Sequence, residues 1–207
     1  MNNKKAKALG KRDRAGSITR ELKTHAIVLG GFITLIWTLE IVNLLFLGGR
    51  LNAYGIVPRS IIGLRGILFA PFLHAGLAHL AANTVPFLTL SWLIMLRETS
   101  DWFVVTAVTM LISGFGTWLI APANSIHIGA SGLIFGYLGF LLLRGYFERS
   151  VSAILLSLIV GLVYGGLIWG VLPLQIGISW QGHLFGFVSG GLAARLLARR
   201  RKSPTID

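Results

Sequence analysis

Six apolar stretches divide this chain, at roughly residues 26–48, 73–96, 102–121, 129–144, 151–172 and 179–198. A helix needs about 20 apolar residues to cross a bilayer. Inside lipid every backbone N–H and C=O must find its partner within the chain, which leaves helices or closed barrels. Continuous apolar runs of this length predict helices. The fold class expected is therefore all-α, a polytopic membrane protein built as a six-transmembrane-helix bundle. A mean hydropathy of +0.75 with 54% hydrophobic residues excludes an ordinary soluble domain. The fourth stretch is short, and fits if one of its ends lies below the membrane surface, roofed by protein. Pro122 and Gly129 bracket the approach to it, so Ala121–His127 reads as a loop dipping toward the membrane. The gap from Gly49 to Phe72 holds Pro58 and Pro71 and ends in an apolar run, and reads as an interfacial or partly embedded loop.

The formal net charge of +12 would suit nucleic acid, but its placement does not. Lys and Arg gather at the two ends and in short gaps between apolar stretches, as membrane proteins carry them. With both termini in the cytoplasm, sixteen of the nineteen basic residues fall on the inner side, and only Arg50, Arg59 and Arg65 on the outer. Residues 1–25 and 199–207 are then basic cytoplasmic tails around a membrane domain at 26–198. The first stretch is longer than a secretory signal core and no small-residue cleavage site follows it, so it reads as a retained helix. Asp13 and Glu21 count against a mitochondrial presequence. There is no Cys, hence no disulfide and no thiolate nucleophile.

In this topology the second, fourth and sixth stretches start on the outer side, and each carries polar residues near its start. His79 and Asn83 lie in the second, one turn apart on one face. Ser131 lies in the fourth and His183 in the sixth. Polar groups at this depth are costly and mark functional sites by default. Gly129, Gly132, Gly136 and Gly139 open the fourth stretch. Gly182, Gly186 and Gly190 recur every four residues in the sixth, a face that lets two backbones approach closely in lipid. Such an approach brings the His183 imidazole within hydrogen-bond reach of the Ser131 hydroxyl, the arrangement of an activated nucleophile and its base. No buried carboxylate stands out as a third member, so ring packing, with Phe135 as the partner, is expected to orient the base. The Ser131 N–H, His79 and Asn83 are the candidate donors to a developing oxyanion.

Each feature alone has a plainer reading. A membrane Ser often bonds a carbonyl one turn back, a His or Asn often glues two helices, and Gly-x-x-x-Gly is common. His74 and His127 are expected to be interfacial and outside the chemistry. Glu40 is expected to serve polar neighbours such as Asn43, or loop backbone. The conjunction at one depth favours catalysis. A transporter would display more intramembrane ionisable residues and repeated halves, and a metalloprotease would need His-Glu-x-x-His.

Three motifs together, His79-Leu-Ala-Ala-Asn83, Gly129-Ala-Ser-Gly132 and Gly182-His-Leu-Phe-Gly186 with Gly190 beyond, are similar to those of the rhomboid intramembrane serine proteases. The likeness runs over roughly residues 26–198 and is strongest to the bacterial six-span form. The resemblance implies that Ser131 is the nucleophile and His183 the general base, with His79, Asn83 and the Ser131 N–H at the oxyanion. It implies neither metal nor cofactor. It also implies transmembrane proteins of the lipid bilayer as substrates, entering laterally, with the site open to the outer aqueous side of a bacterial inner membrane. Some relatives carry Tyr at the place of Phe135, and some a Trp-Arg pair in the first outer loop, where residues 49–72 here hold no Trp. The alternative expectation is a non-catalytic rhomboid-like protein that binds transmembrane clients.

Overall fold

The computed structural model describes residues 3–175 and 177–202, with side chains described over residues 16–200 apart from 176. Six long helices form the bundle: α1 (Asn3–Phe46), α2 (Leu77–Met95), α3 (Thr99–Ile120), α4 (Ser131–Glu148), α5 (Val151–Tyr164) and α6 (Trp180–Lys202). A 3₁₀ segment, Gly165–Val171, continues α5. Among the described residues there is no β-strand, only one isolated bridge between Ile56 and His127. The six expected helices are all present, within a few residues of the apolar stretches except at the start of α1, which runs down through the basic segment.

Four of these segments are long and apolar enough to cross a membrane: 16–46 within α1, α2, α3, and α5 with its 3₁₀ extension. The remaining two, α4 and α6, are less uniformly apolar for a physical reason. The first is enclosed by the others and need not be greasy on every face, and α6 packs on α3 and α4 and turns Val188, Leu192 and Leu196 outward. In α4, Tyr137, Leu138 and Leu141 are completely buried, and α2, α3, α5 and α6 all pack against it. By contrast α5 packs chiefly on α4 and turns Leu158 and Leu162 outward.

Glycine sets the spacing of the central pair. A methyl at Gly190 would stand 1.9 Å from the Gly136 carbonyl oxygen, one at Gly186 2.3 Å from that of Gly132, and one at Gly139 2.2 Å from that of Phe187. Helices α4 and α6 therefore meet backbone to backbone, as the small-residue pattern predicts. Gly182 departs from that expectation. It faces α3, where its carbonyl accepts from Ser113 Oγ at 2.7 Å.

The connection between α1 and α2 folds back on the bundle in short 3₁₀ turns and one α-helical turn, Gly66–Phe69. Ile56 and His127 exchange two backbone hydrogen bonds, of 2.9 and 3.0 Å. Arg59 donates to the carbonyls of Leu119 and Ala121 at the C-terminal end of α3, where a cation is favoured. Glu40, 2% exposed on α1, accepts the Gly76 N–H at 2.7 Å just ahead of α2. Glu40 thus serves loop backbone, one of the two roles expected of it, while Asn43 bonds Leu51 and Asn52 instead.

Candidate active site

Ser131 is the first residue of α4, so its N–H has no acceptor within the helix. His183 lies in the first turn of α6. The close approach of the two helices sets Ser131 Oγ and His183 Nε2 2.9 Å apart. The other ring nitrogen, Nδ1, lies 2.9 Å from the Gly170 carbonyl oxygen. A carbonyl only accepts, so Nδ1 carries the proton and Nε2 is left with the lone pair that faces the serine hydroxyl. The Phe135 ring stacks on the imidazole, with centroids 4.0 Å apart and planes 7° from parallel. His183 is 7% exposed, so these contacts hold in a largely dry setting.

Gly170 is a partner that the residue pattern does not reveal. It stands in the place where a carboxylate would complete a triad, but a neutral backbone oxygen fills the role. No side chain marks it in the sequence. Its glycine identity is the one available signal, because a methyl there would lie 2.7 Å from Phe135 Cζ and 3.2 Å from His183 Nδ1.

His79 and Asn83 gather beside the loop that delivers Ser131. Gly129, at φ +118°, donates its N–H to the Ala70 carbonyl at 2.9 Å. A side chain at that position would meet His79 Nε2 at 2.9 Å and Asn83 Nδ2 at 3.6 Å. The glycine therefore satisfies both the backbone conformation and the close approach of two donors. Asn83 is buried, and its Nδ2 has no hydrogen-bond partner. A buried donor left unpaired costs about 1–3 kcal/mol, and here it lies beside Gly129, two positions ahead of Ser131. Gly132 completes the set of expected packing glycines, 2.8 Å from Ser113 Oγ by the same measure.

Two histidines expected to be interfacial are engaged by protein groups around the site. His74 is fully buried, and its Nε2 accepts the Ala130 N–H at 3.4 Å, next to Ser131. His127 bridges Ser125 and Ser179 at 2.8 and 2.7 Å, and burial lowers its pKa below the usual imidazole value. His74 lies just ahead of α2 and His127 in the short loop before α4, and hydropathy alone does not encode these contacts. His127, Ser113 and Thr117 line a cavity of about 40 Å³ that reaches Ser131 and His183. That is room for ordered water at polar walls.

A membrane bundle with a hydroxyl and an imidazole in hydrogen-bond contact beneath one end defines a class, that of polytopic proteins with a buried serine–histidine pair. The rhomboid-domain family model matches residues 63–200, so this chain belongs to the rhomboid family and is an integral membrane protein. It is 44% identical to an uncharacterized protein of Mycobacterium tuberculosis over 91% of this chain and 84% of that one. It is 33% identical to RHOMBOID-like protein 4 of Arabidopsis thaliana, over 65% of this chain and 34% of the plant protein. A Bacillus subtilis protein, YdcA, provisionally named a rhomboid protease, is 29% identical over 63% of this chain and 65% of its own length.

Proposed function

We propose that this protein is a serine endopeptidase that cuts peptide bonds in or near transmembrane segments of other membrane proteins. The observation that carries the reading is the 2.9 Å contact between Ser131 Oγ and His183 Nε2, with Nδ1 anchored on Gly170. That tautomer is the one a general base requires.

In the first step Ser131 Oγ attacks the scissile carbonyl carbon while its proton passes to His183 Nε2. The imidazolium so formed is held by the Gly170 carbonyl and by the face of Phe135, a cation on an aromatic ring. The carbonyl oxygen gains negative charge. Asn83 Nδ2, His79 Nε2 and the Ser131 N–H are the donors offered to it. The C–N bond then breaks, and the leaving amine takes the proton from Nε2. Water, deprotonated by the same imidazole, hydrolyses the acyl-enzyme and regenerates the serine. An orphan donor such as Asn83 Nδ2 suits this scheme, because its partner exists only once the oxyanion forms.

Residues 26–198 form the catalytic unit in this reading, between the two basic tails. The split of basic residues supports a bacterial cytoplasmic membrane with both termini inside and the serine toward the outer face. A client-binding role without catalysis would not require the hydroxyl and the imidazole to be in contact. The test is reaction of the detergent-purified protein with a fluorophosphonate. A single adduct at Ser131, absent in Ser131→Ala and strongly reduced in His183→Ala, is expected. Equal labelling of the wild type and His183→Ala contradicts the reading.

A further inference from the structure

His127 engages all four of its hydrogen-bonding groups. Its backbone exchanges two bonds with Ile56, of 2.9 and 3.0 Å, which ties the loop ahead of α4 to the connection between α1 and α2. Its ring lies between two serines, with Nε2 2.8 Å from Ser125 Oγ and Nδ1 2.7 Å from Ser179 Oγ. Both distances are at the short end of the usual range. Counting protons gives the direction of each bond. Ser125 Oγ donates its one proton to the Pro122 carbonyl at 2.5 Å, so toward the ring it can only accept. In the neutral imidazole Nε2 therefore carries the proton, and Nδ1 accepts from the Ser179 hydroxyl. Burial lowers the pKa of this ring, which favours that neutral form.

Ser179 stands immediately before α6, and its carbonyl accepts the His183 N–H at 3.1 Å. Its side chain is thus bound to the loop that delivers Ser131, and its main chain to the residue that faces the serine. The glycine seam does not reach this turn. Its outermost contact from α6 is Gly186, against the Gly132 carbonyl, and Ser179 lies nearly two turns further out. Ser113 Oγ holds the Gly182 carbonyl from the side of α3. His127 reaches the same turn from the segment that leads into the nucleophile, four positions ahead of it.

We propose that His127 is a positioning residue for the general base: through Ser179 it pins the first turn of α6 to the loop that carries Ser131. The inference rests on the serine–histidine reading of the site. It corrects the expectation that His127 lies outside the chemistry, although His127 itself touches no reacting atom.

The two ring nitrogens can be replaced one at a time. His127→Asn puts an amide oxygen where Nδ1 stands and keeps the acceptor for Ser179. His127→Gln puts its amide where Nε2 stands and loses that acceptor. The full-length protein in detergent is treated with a fluorophosphonate, and the rate of labelling at Ser131 is measured. His127→Gln and Ser179→Ala are each expected to slow labelling about fivefold to tenfold, the net worth of one neutral hydrogen bond. The double variant is expected to be no slower than either, and His127→Asn to label near the wild-type rate. Hydrogen exchange of residues 180–184, followed by mass spectrometry, is expected to quicken in His127→Gln and Ser179→Ala but not in His127→Asn. Thermal melting confirms that each variant is folded. Labelling of His127→Gln at the wild-type rate overturns the proposal, as do losses that add in the double variant. A wild type that takes no label defeats the catalytic reading instead, and the pinning of α6 then stands or falls on the exchange of its first turn alone.

Discussion

The carbonyl of Gly170 holds the imidazole of His183 through a 2.9 Å hydrogen bond to Nδ1. A backbone dipole thereby fixes both tautomer and ring direction, the task that a buried carboxylate performs in a triad. A neutral acceptor stabilises imidazolium less than an anion would, and it also avoids placing an unpaired charge in a dry bundle. Gly170→Ala is the test. Its methyl must displace Phe135 or His183, since it would lie 2.7 Å from the one and 3.2 Å from the other. Misplacing a catalytic group by about 1 Å costs on the order of 100-fold in rate. We predict a kcat drop of that order with little change in KM, measured on a membrane-embedded reporter substrate.

Asn83 offers a test in which activity and stability move apart. Its Nδ2 is buried and unpaired, so Asn83→Leu removes an unsatisfied donor while keeping the same branched shape, if a larger one. Thermal stability in detergent is predicted to be unchanged or higher. Activity is predicted to fall by about 10²–10³ in kcat, the usual cost of one oxyanion donor. Equal losses of stability and activity would assign Asn83 to packing alone.

The α4–α6 seam makes a sharper prediction about stability. A methyl at Gly190 collides with the Gly136 carbonyl oxygen at 1.9 Å, whereas Gly165 has nothing within 4 Å. Gly190→Ala is expected to cost about 1–3 kcal/mol or more and to reduce activity with it, because the same seam brings serine to histidine. Gly165→Ala is expected to leave both unchanged. Thermal unfolding and reporter cleavage on the two variants check the contrast.

Glu40 ties α1 to the start of α2, the helix that carries His79 and Asn83. Its bond to the Gly76 N–H is charge-assisted, and its negative charge sits at a helix N-terminus, where it is favoured. Glu40→Gln retains an acceptor and is predicted to lose about 1 kcal/mol of stability. Glu40→Leu leaves the amide unpaired and is predicted to lose about 3 kcal/mol. Calorimetry or differential scanning fluorimetry separates the two.

Much of this architecture is legible in the residues, for identifiable reasons. Helices that face lipid announce themselves as long apolar runs, so α2, α3 and α5 are readable from hydropathy. The central pair α4 and α6 is weaker by that measure, and it is their glycines that betray them, because lipid-phase packing selects small residues. The contact between Ser131 and His183 follows from that seam. Gly170 was not readable, since a carbonyl is common to every residue and only the fold brings this one to the ring. The placement of His127 depends on the loop before α4, whose path is set by Gly129 at φ +118° and by the Ile56–His127 bridge, and His74, just ahead of α2, meets the end of that loop at the Ala130 N–H. Neither has a periodic signature. The basic N-terminal segment reads as a tail by charge, yet α1 begins at Asn3, because Lys, Arg and Ala are good helix formers whatever their surroundings.

The most direct measurement is cleavage of a transmembrane reporter by the purified protein reconstituted in liposomes, comparing wild type with Ser131→Ala and His183→Ala. The serine–histidine account predicts site-specific cleavage by the wild type within or beside the reporter's membrane segment. It predicts none above background for Ser131→Ala, and a loss of at least about 10³-fold for His183→Ala. Cleavage by folded Ser131→Ala at the wild-type rate would contradict it.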